Sequence, residues 1–217
     1  MKTIAFVTQK GGTGKSSLAI SLAVAAEEAG QHPYILDLDP QGTARKWYER
    51  REAETPEVAA IPTNKVKDAI AALQRQSIDL VLIDTPGIDS PATTSAMEAA
   101  DLCIIPARPS YADIEATRAT VASLQKLAKD FAFVLNQCPP GRVMRITDAY
   151  RALHMSGMVA PPTMATRADH VDAIGAGQGV TEWAPAGKAA RETRELLQWV
   201  MKKMEGETDE HQKTRVA

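Results

Sequence analysis

The sequence predicts an α/β fold of three layers, α/β/α, around a mainly parallel central sheet. Short apolar runs alternate with longer stretches of helical periodicity, the order expected of stacked βαβ units. Several of the runs are apolar at both alternating positions, as strands are when helices cover both faces of their sheet. The chain of 217 residues suits one domain with a sizeable core.

The runs are Thr3 to Thr8, Tyr34 to Leu38, Val58 to Ile61, Leu80 to Ile83, Leu102 to Ile105 and Phe131 to Leu135. A seventh strand is predicted around Met158-Val159-Ala160. The Ala/Leu-rich stretch Ser16 to Ala29 reads as a helix stopped by Gly30. Lys65 to Gln76 carries Val66, Ile70 and Leu73 at helical spacing. Ser110 to Lys129 opens with Ser110 and Asp113 three apart, the spacing of a capping box. Arg142 to His154 gathers Val143, Ile146, Ala149, Tyr150 and Leu153 on one side. Lys188 to Met204 repeats apolar residues that pack one face on the body. Residues 1–204 therefore read as a single domain. Beyond them apolar residues nearly vanish, and 205–217 is predicted to be a disordered charged tail.

Hydrophobic residues make up 44% of the chain and the formal charge is -2, so no global field draws it to nucleic acid or anionic lipid. With three Phe, four Tyr and three Trp, aliphatic residues must do most of the packing. Cys103 and Cys138 adjoin apolar runs and are expected to be reduced and buried, with no metal-ligand spacing around them. The first residues are too soon interrupted for a signal peptide, and no apolar run approaches the length of a membrane span. The expectation is a cytoplasmic protein.

The stretch Gln9-Lys10-Gly11-Gly12-Thr13-Gly14-Lys15-Ser16-Ser17 follows the first strand and opens the first helix. Glycines let the backbone fold tightly enough to aim successive N–H groups at phosphate oxygens, and the helix N-terminus adds free donors and a favourable dipole. Lys15 is placed to reach the outer phosphates of ATP, and the Ser16 hydroxyl to join the shell of a Mg2+ ion. The first glycine of the ordinary phosphate loop is replaced by Gln9. Lys10 is either a solvated surface residue or a second cation for the triphosphate, most useful from a partner subunit.

Carboxylates accompany the loop. Asp84 ends the run Leu80-Val81-Leu82-Ile83, at the edge where open parallel sheets bind ligands, and is expected to hold Mg2+ through water. Asp37 and Asp39 flank Leu38 at the end of the second run, where period-two geometry puts both on one side. Two like charges there are costly unless a cation or a water relay uses them.

These residues resemble the ParA/MinD family of deviant Walker ATPases, and in particular the short ParA-type partition ATPases that lack an N-terminal DNA-binding extension. The likeness rests on Lys10-Gly11-Gly12-Thr13-Gly14-Lys15-Ser16, on Leu36-Asp37-Leu38-Asp39-Pro40-Gln41-Gly42 and on Leu82-Ile83-Asp84-Thr85-Pro86-Gly87. Ile105-Pro106 and Phe133-Val134-Leu135-Asn136 also look like family positions. The resemblance implies a phosphate-loop NTPase fold with a deviant Walker A motif. It implies a Mg2+-dependent ATP hydrolase, slow and stimulated by a partner, with Lys10, Lys15 and Asp39 as the catalytic group. Lys10 resembles the signature lysine that contacts nucleotide across an ATP-sandwich homodimer. Lys10 to Ser17 would hold the phosphates, Ser16, Asp37 and Asp84 the metal region, and Asp39 the attacking water. Asn136 would lie near adenine, with the segment from Pro161-Pro162-Thr163 to Val171 closing the base pocket.

The resemblance further implies non-specific double-stranded DNA as a ligand and an adaptor protein bound to cargo or centromere, with the protein nucleoid-associated. Arg142, Arg145, Arg167, Lys188 and Arg191 are the candidate DNA contacts, although they form no compact stripe. The group Arg45-Lys46, Trp47 and Arg50-Arg51 reads either as a basic helix or as a solvated helix face. The last helix lacks the amphipathic basic–aromatic character of a membrane anchor. The alternative function is a biosynthetic enzyme using ATP on a small molecule, which would need a further pocket, and Thr85 to Thr94 is long enough to contribute one.

Overall fold

The computed structural model describes residues 1–206; residues 207–217, most of the predicted tail, lie outside the described residues. The strands are β1 (Lys2–Phe6), β2 (Pro33–Asp37), β3 (Glu57–Ala60), β4 (Leu80–Asp84), β5 (Leu102–Ala107), β6 (Phe131–Leu135) and β7 (Met158–Val159). They form one sheet in the order β3-β2-β4-β1-β5-β6-β7, with every pairing parallel. β1 lies between β4 and β5, so the loops that leave these three strands meet at one edge. Residues at the ends of β2 and β4 are in register, Asp37 opposite Asp84.

The helices are α1 (Lys15–Glu28), α2 (Thr43–Tyr48), α3 (Val66–Leu73), α4 (Pro91–Ala99), α5 (Tyr111–Lys126), α6 (Val143–His154), α7 (Ala168–Gly175), α8 (Val180–Trp183) and α9 (Lys188–Glu205), with a 3-10 turn at Thr63–Lys65. Alternate strand residues feed two cores, as the pleat requires. Ile4, Phe6, Ile35, Leu80, Leu82, Ile104 and Val134 pack under α1, α2 and α9. Ala5, Val7, Leu36, Val81, Ile83, Cys103, Ile105 and Phe133 pack under α3, α4, α5 and α6. This is the double coverage that the doubly apolar runs predicted.

α1 is buried without a break from Leu18 to Ala26, because the sheet covers one side and α9 packs on it from the other. Both cysteines are free and buried. Burial pushes each thiol up to about 12, which leaves them unreactive near neutral pH. No helix of the described residues is long and apolar enough to cross a membrane.

Some boundaries differ from expectation. β2 stops at Asp37, and Asp39 lies in the turn beyond it, although both carboxylates act on the carboxyl of Asp84. The stretch Thr85 to Thr94, offered for a further pocket, runs into α4. Its start was written as Ser90-Pro91: the Ser90 side chain accepts from the Thr93 N–H, and Pro91 needs no donor in the first turn. The helix α9 runs to Glu205 and ends on Gly206, one residue into the predicted tail. Trp47 is not on a solvated face: it is fully buried in the α1/α9 core.

Candidate nucleotide site

The loop from β1 to α1 stands at the centre of the sheet edge. Gly14 caps α1 with φ 90°, and a Cβ there would lie 2.4 Å from Asn136 Nδ2, so only glycine fits this turn. Two residues at the end of β6 hold the loop from outside. Asn136 Nδ2 donates to the Thr13 carbonyl at 2.7 Å, and Gln137 Nε2 donates to the Gly12 carbonyl at 3.1 Å. Those donors tie down carbonyls and leave the loop's own N–H groups free to face an anion.

Lys15 is buried. Loss of solvent lowers its pKa, and the carboxylates of Asp84 and Asp39 oppose that loss. Asp84 has no solvent exposure, and neither carboxylate oxygen has a hydrogen-bond partner of ordinary geometry among the described residues. Burial pushes its carboxyl up to about 7, with the charge of Asp37 adding to the rise and the Ser16 hydroxyl and Lys15 opposing it. A buried carboxylate with two free oxygens beside a serine hydroxyl is the donor set that a hard cation satisfies. Among the described residues no cluster of three or more His, Cys, Asp or Glu side chains could hold a metal alone. Mg2+ binding to one or two protein oxygens plus phosphate oxygens needs none. Ser16 and Asp84 therefore fit a nucleotide-bound Mg2+.

Asp37 has a different occupation. Its Oδ1 accepts the Asp39 N–H and its Oδ2 accepts the Arg45 N–H, each at 3.0 Å. Burial raises its pKa, and those backbone bonds work against the rise. The expected metal-region residue thus organises the turn and caps α2, while Asp84 is the carboxylate left open. Asp39, half-buried, accepts the Gln41 N–H at 2.9 Å and stands in the turn next to the phosphate loop.

Lys10 lies on the rim. Its Nζ pairs with Asp113 at 3.0 Å, with side-chain exposures of 28% and 3%. Asp113 also accepts from Arg108 Nε at 2.9 Å and from the Ser110 hydroxyl. Burial alone would raise this carboxyl, but the bonds from Ser110, Arg108 and Lys10 together hold it below the usual carboxylate range. The Ser-x-x-Asp spacing was legible as a helix cap. That its acid also holds Lys10 was not, because the two residues meet only through the β1/β5 pairing. A carboxyl with a lowered folded pKa adds stability above the ordinary aspartate range, lost as pH falls through the lowered value. Acid melting curves of the wild type should therefore steepen below about pH 4, and Asp113→Asn should remove part of that slope.

Beside the loop opens a cavity of about 440 Å3 lined by Gly14, Ser17, Asn136, Gln137, Thr166, Arg167, His170 and Ile174, among others. Its volume suits a nucleobase and sugar. Asn136 lines it, and so does Ser17, which was read as a phosphate contact. Pro162 is not among the lining residues, and Ala165 to Ile174 supplies that wall instead. Burial lowers the pKa of His170, which keeps the imidazole neutral near pH 7.

The candidate DNA contacts separate. Arg142 and Arg145 are exposed where the β6–α6 loop enters α6 and share a shallow hollow. Lys188 and Arg191 are exposed on the first turn of α9. Arg167 is half-buried and engaged within its own chain: it lines the cavity and pairs with Glu192 on α9 at 2.5 Å.

Known proteins share this fold. Residues 4–178 match the family model described as the CobQ/CobB/MinD/ParA nucleotide binding domain. The chain is 30% identical over 195 residues to maintenance of carboxysome distribution protein A of Gloeobacter kilaueensis, covering 88% of each chain. It is 29% identical over 160 residues to the chromosome-partitioning ATPase Soj of Thermus thermophilus, covering 58% of this chain and 63% of that one. The septum site-determining protein MinD of Pyrococcus horikoshii, solved with Mg-ADP, superposes with a TM-score of 0.75 at 20% identity, over 96% of this chain and 99% of that one. At that identity the superposition speaks for the fold. The family match spans the segments that carry Lys10, Lys15, Asp39, Asp84 and Asn136, and with it this chain belongs to the ParA/MinD family of phosphate-loop ATPases.

Proposed function

We propose that the protein is an ATP-dependent dimerisation switch that binds non-specific DNA and positions or segregates a plasmid, chromosome or protein cargo. The placement of Lys10 carries the reading. Lys15 would serve the nucleotide of its own subunit, and a second lysine, half-buried on the rim of the same loop and paired with Asp113 in the isolated chain, would turn to a nucleotide held by a facing copy. Relatives named for carboxysome distribution and chromosome partitioning support the cargo role. A cargo- or centromere-bound adaptor would stimulate slow hydrolysis and release the complex. The protein would act in the cytoplasm, on the nucleoid, without a membrane.

The chemistry asks the chain for position and charge. The loop N–H groups and Lys15 hold the phosphates, and Ser16 and Asp84 hold the metal. Mg2+, when bound, neutralises charge on the phosphate oxygens. Asp39 orients the attacking water, and Lys10 of the facing copy meets the charge that develops on the phosphate. Asp39→Ala should keep ATP binding within about threefold, since it removes no phosphate contact, while losing at least about 100-fold in turnover. Turnover equal to wild type in a phosphate-release assay would remove Asp39 from this role.

The DNA step is tested by fluorescence anisotropy of a labelled, sequence-neutral duplex with ATP, ADP or no nucleotide at one stated salt concentration. Binding only with ATP supports the switch. One observation favours a second reading, an ATP-using enzyme for a small molecule: a hollow of about 430 Å3 lies against Asp39, Arg45, Pro62 and Thr63. ATP binding without DNA binding in any state would shift the weight to it.

A further inference from the structure

The segment Gly177-Gln178-Gly179 joins α7 to α8 and is fastened to α2 and the residues after it. Trp47 Nε1 donates to the Gln178 carbonyl at 3.0 Å, Arg51 Nη1 to the Gly177 carbonyl at 3.2 Å and Arg50 Nη2 to the Ile174 carbonyl at 3.3 Å. The backbones touch: Gly177 has φ +71°, and a Cβ there would sit 2.6 Å from the Arg50 carbonyl group. The Arg51 side chain is 2% exposed. It stands 5.0 Å from the centroid of the Trp47 ring, forms a two-point pair with Glu182 at 2.8 and 2.6 Å, and donates to the Thr55 carbonyl at 2.5 Å.

Each end of this joint leads to the nucleotide. On one side α7 presents His170, Val171 and Ile174 to the base cavity. On the other, α2 begins where Asp37 accepts the Arg45 N–H, and the same carboxylate accepts the Asp39 N–H. Withdrawing a guanidinium from water costs several kcal/mol unless its donors are met, and an apolar staple would fasten α2 without that cost. A planar fork with fixed donor directions does what an apolar contact does not: it sets the rotation and height of the chain at the end of α2 against the joint between α7 and α8.

We propose that Trp47 and Arg51 are positioning residues for hydrolysis, which register the Asp39 turn against the helix that receives the base. They touch no reacting atom. The inference rests on the nucleotide reading of the site and deepens it: the base wall contributes to turnover as well as to affinity.

Two conservative changes test it in the full chain. Trp47→Phe keeps the ring and removes the N–H donor, and Arg51→Lys keeps the charge and removes the fork. Each should lower kcat for ATP about tenfold or more, because small displacements of a positioned group cost that much. KM and the affinity for a fluorescent ADP analogue should stay within about twofold, and the double variant should be little worse than either single one, since both cut the same joint. In a Trp183→Phe, Trp199→Phe background, Trp47 is the only indole. Its emission should change on saturation with ADP and stay unchanged with tripolyphosphate, which fills the phosphate loop and lacks a base. Unchanged kcat would overturn the proposal. So would parallel losses of kcat, affinity and melting temperature, which describe a plain staple, or an identical response of Trp47 to both ligands. Failure of the wild type to bind the ADP analogue would instead sink the nucleotide reading itself.

Discussion

Lys15→Ala is expected to abolish productive ATP binding. In the proposed site the ammonium would make charge-assisted contacts to phosphate, each worth about 1.5–3 kcal/mol, so one lost contact would weaken binding about 10- to 150-fold. More than one is at stake for a lysine at the outer phosphates, and at millimolar ATP the variant should hold almost none. The nucleotide-free protein should respond in the opposite direction. Lys15 is buried with a lowered pKa, so the empty fold carries the cost of desolvating it, and removing it should leave the melting temperature unchanged or raised. Calorimetric titration with Mg-ATP and a melting curve without ligand check the two halves together. Wild-type ATP affinity would displace Lys15 from the phosphate site, and loss of the fold would make the binding result uninformative about it.

Lys10→Ala is expected to separate binding from turnover. ATP affinity should fall by less than about threefold, because Lys15 and the loop N–H groups remain, while hydrolysis should drop about 1000-fold, the scale of a cation supplied to a phosphoryl transition state. Dimer formation with ATP, read by sedimentation velocity, should be lost as well. The complication is Asp113, which holds Lys10 at 3.0 Å in the isolated chain. Removing the lysine also removes that pair, at a cost of about 1 kcal/mol for a partly exposed ion pair. Arg108 and Ser110 stay on the acid, so the helix cap survives. Asp113→Asn is the control: it breaks the same pair while leaving the lysine free, and it should retain dimer formation. Equal loss in both variants would make Lys10 a structural residue and remove the main support for the dimer switch.

The phosphate loop was legible because its chemistry is local. Glycines, Lys15 and Ser16 act within one turn of chain that a strand and a helix must flank. Asp84 was legible for a similar reason, standing at the end of a run too apolar to be anything but a central strand. Asp37 was half legible. Its place beside Asp84 follows from two strand ends, but its capture by the N–H groups of Asp39 and Arg45 depends on how the following turn closes. Trp47 shows a harder case. Four charged neighbours in Arg45, Lys46, Arg50 and Arg51 made the helix read as solvent-facing or basic. The indole is nevertheless fully buried, and Arg51 is folded over it.

By itself, then, the sequence determined the layer architecture, the parallel strands and the places of the glycine-rich loop and of Asp84 at the end of its strand, because each follows from residue types at short spacing. Only the tertiary structure decided which acid holds Lys10, which side chains wall the base cavity and which arginines are engaged within their own chain. Those contacts join residues tens to more than a hundred positions apart. Sheet order sets them, and no local periodicity records which strand lies beside which.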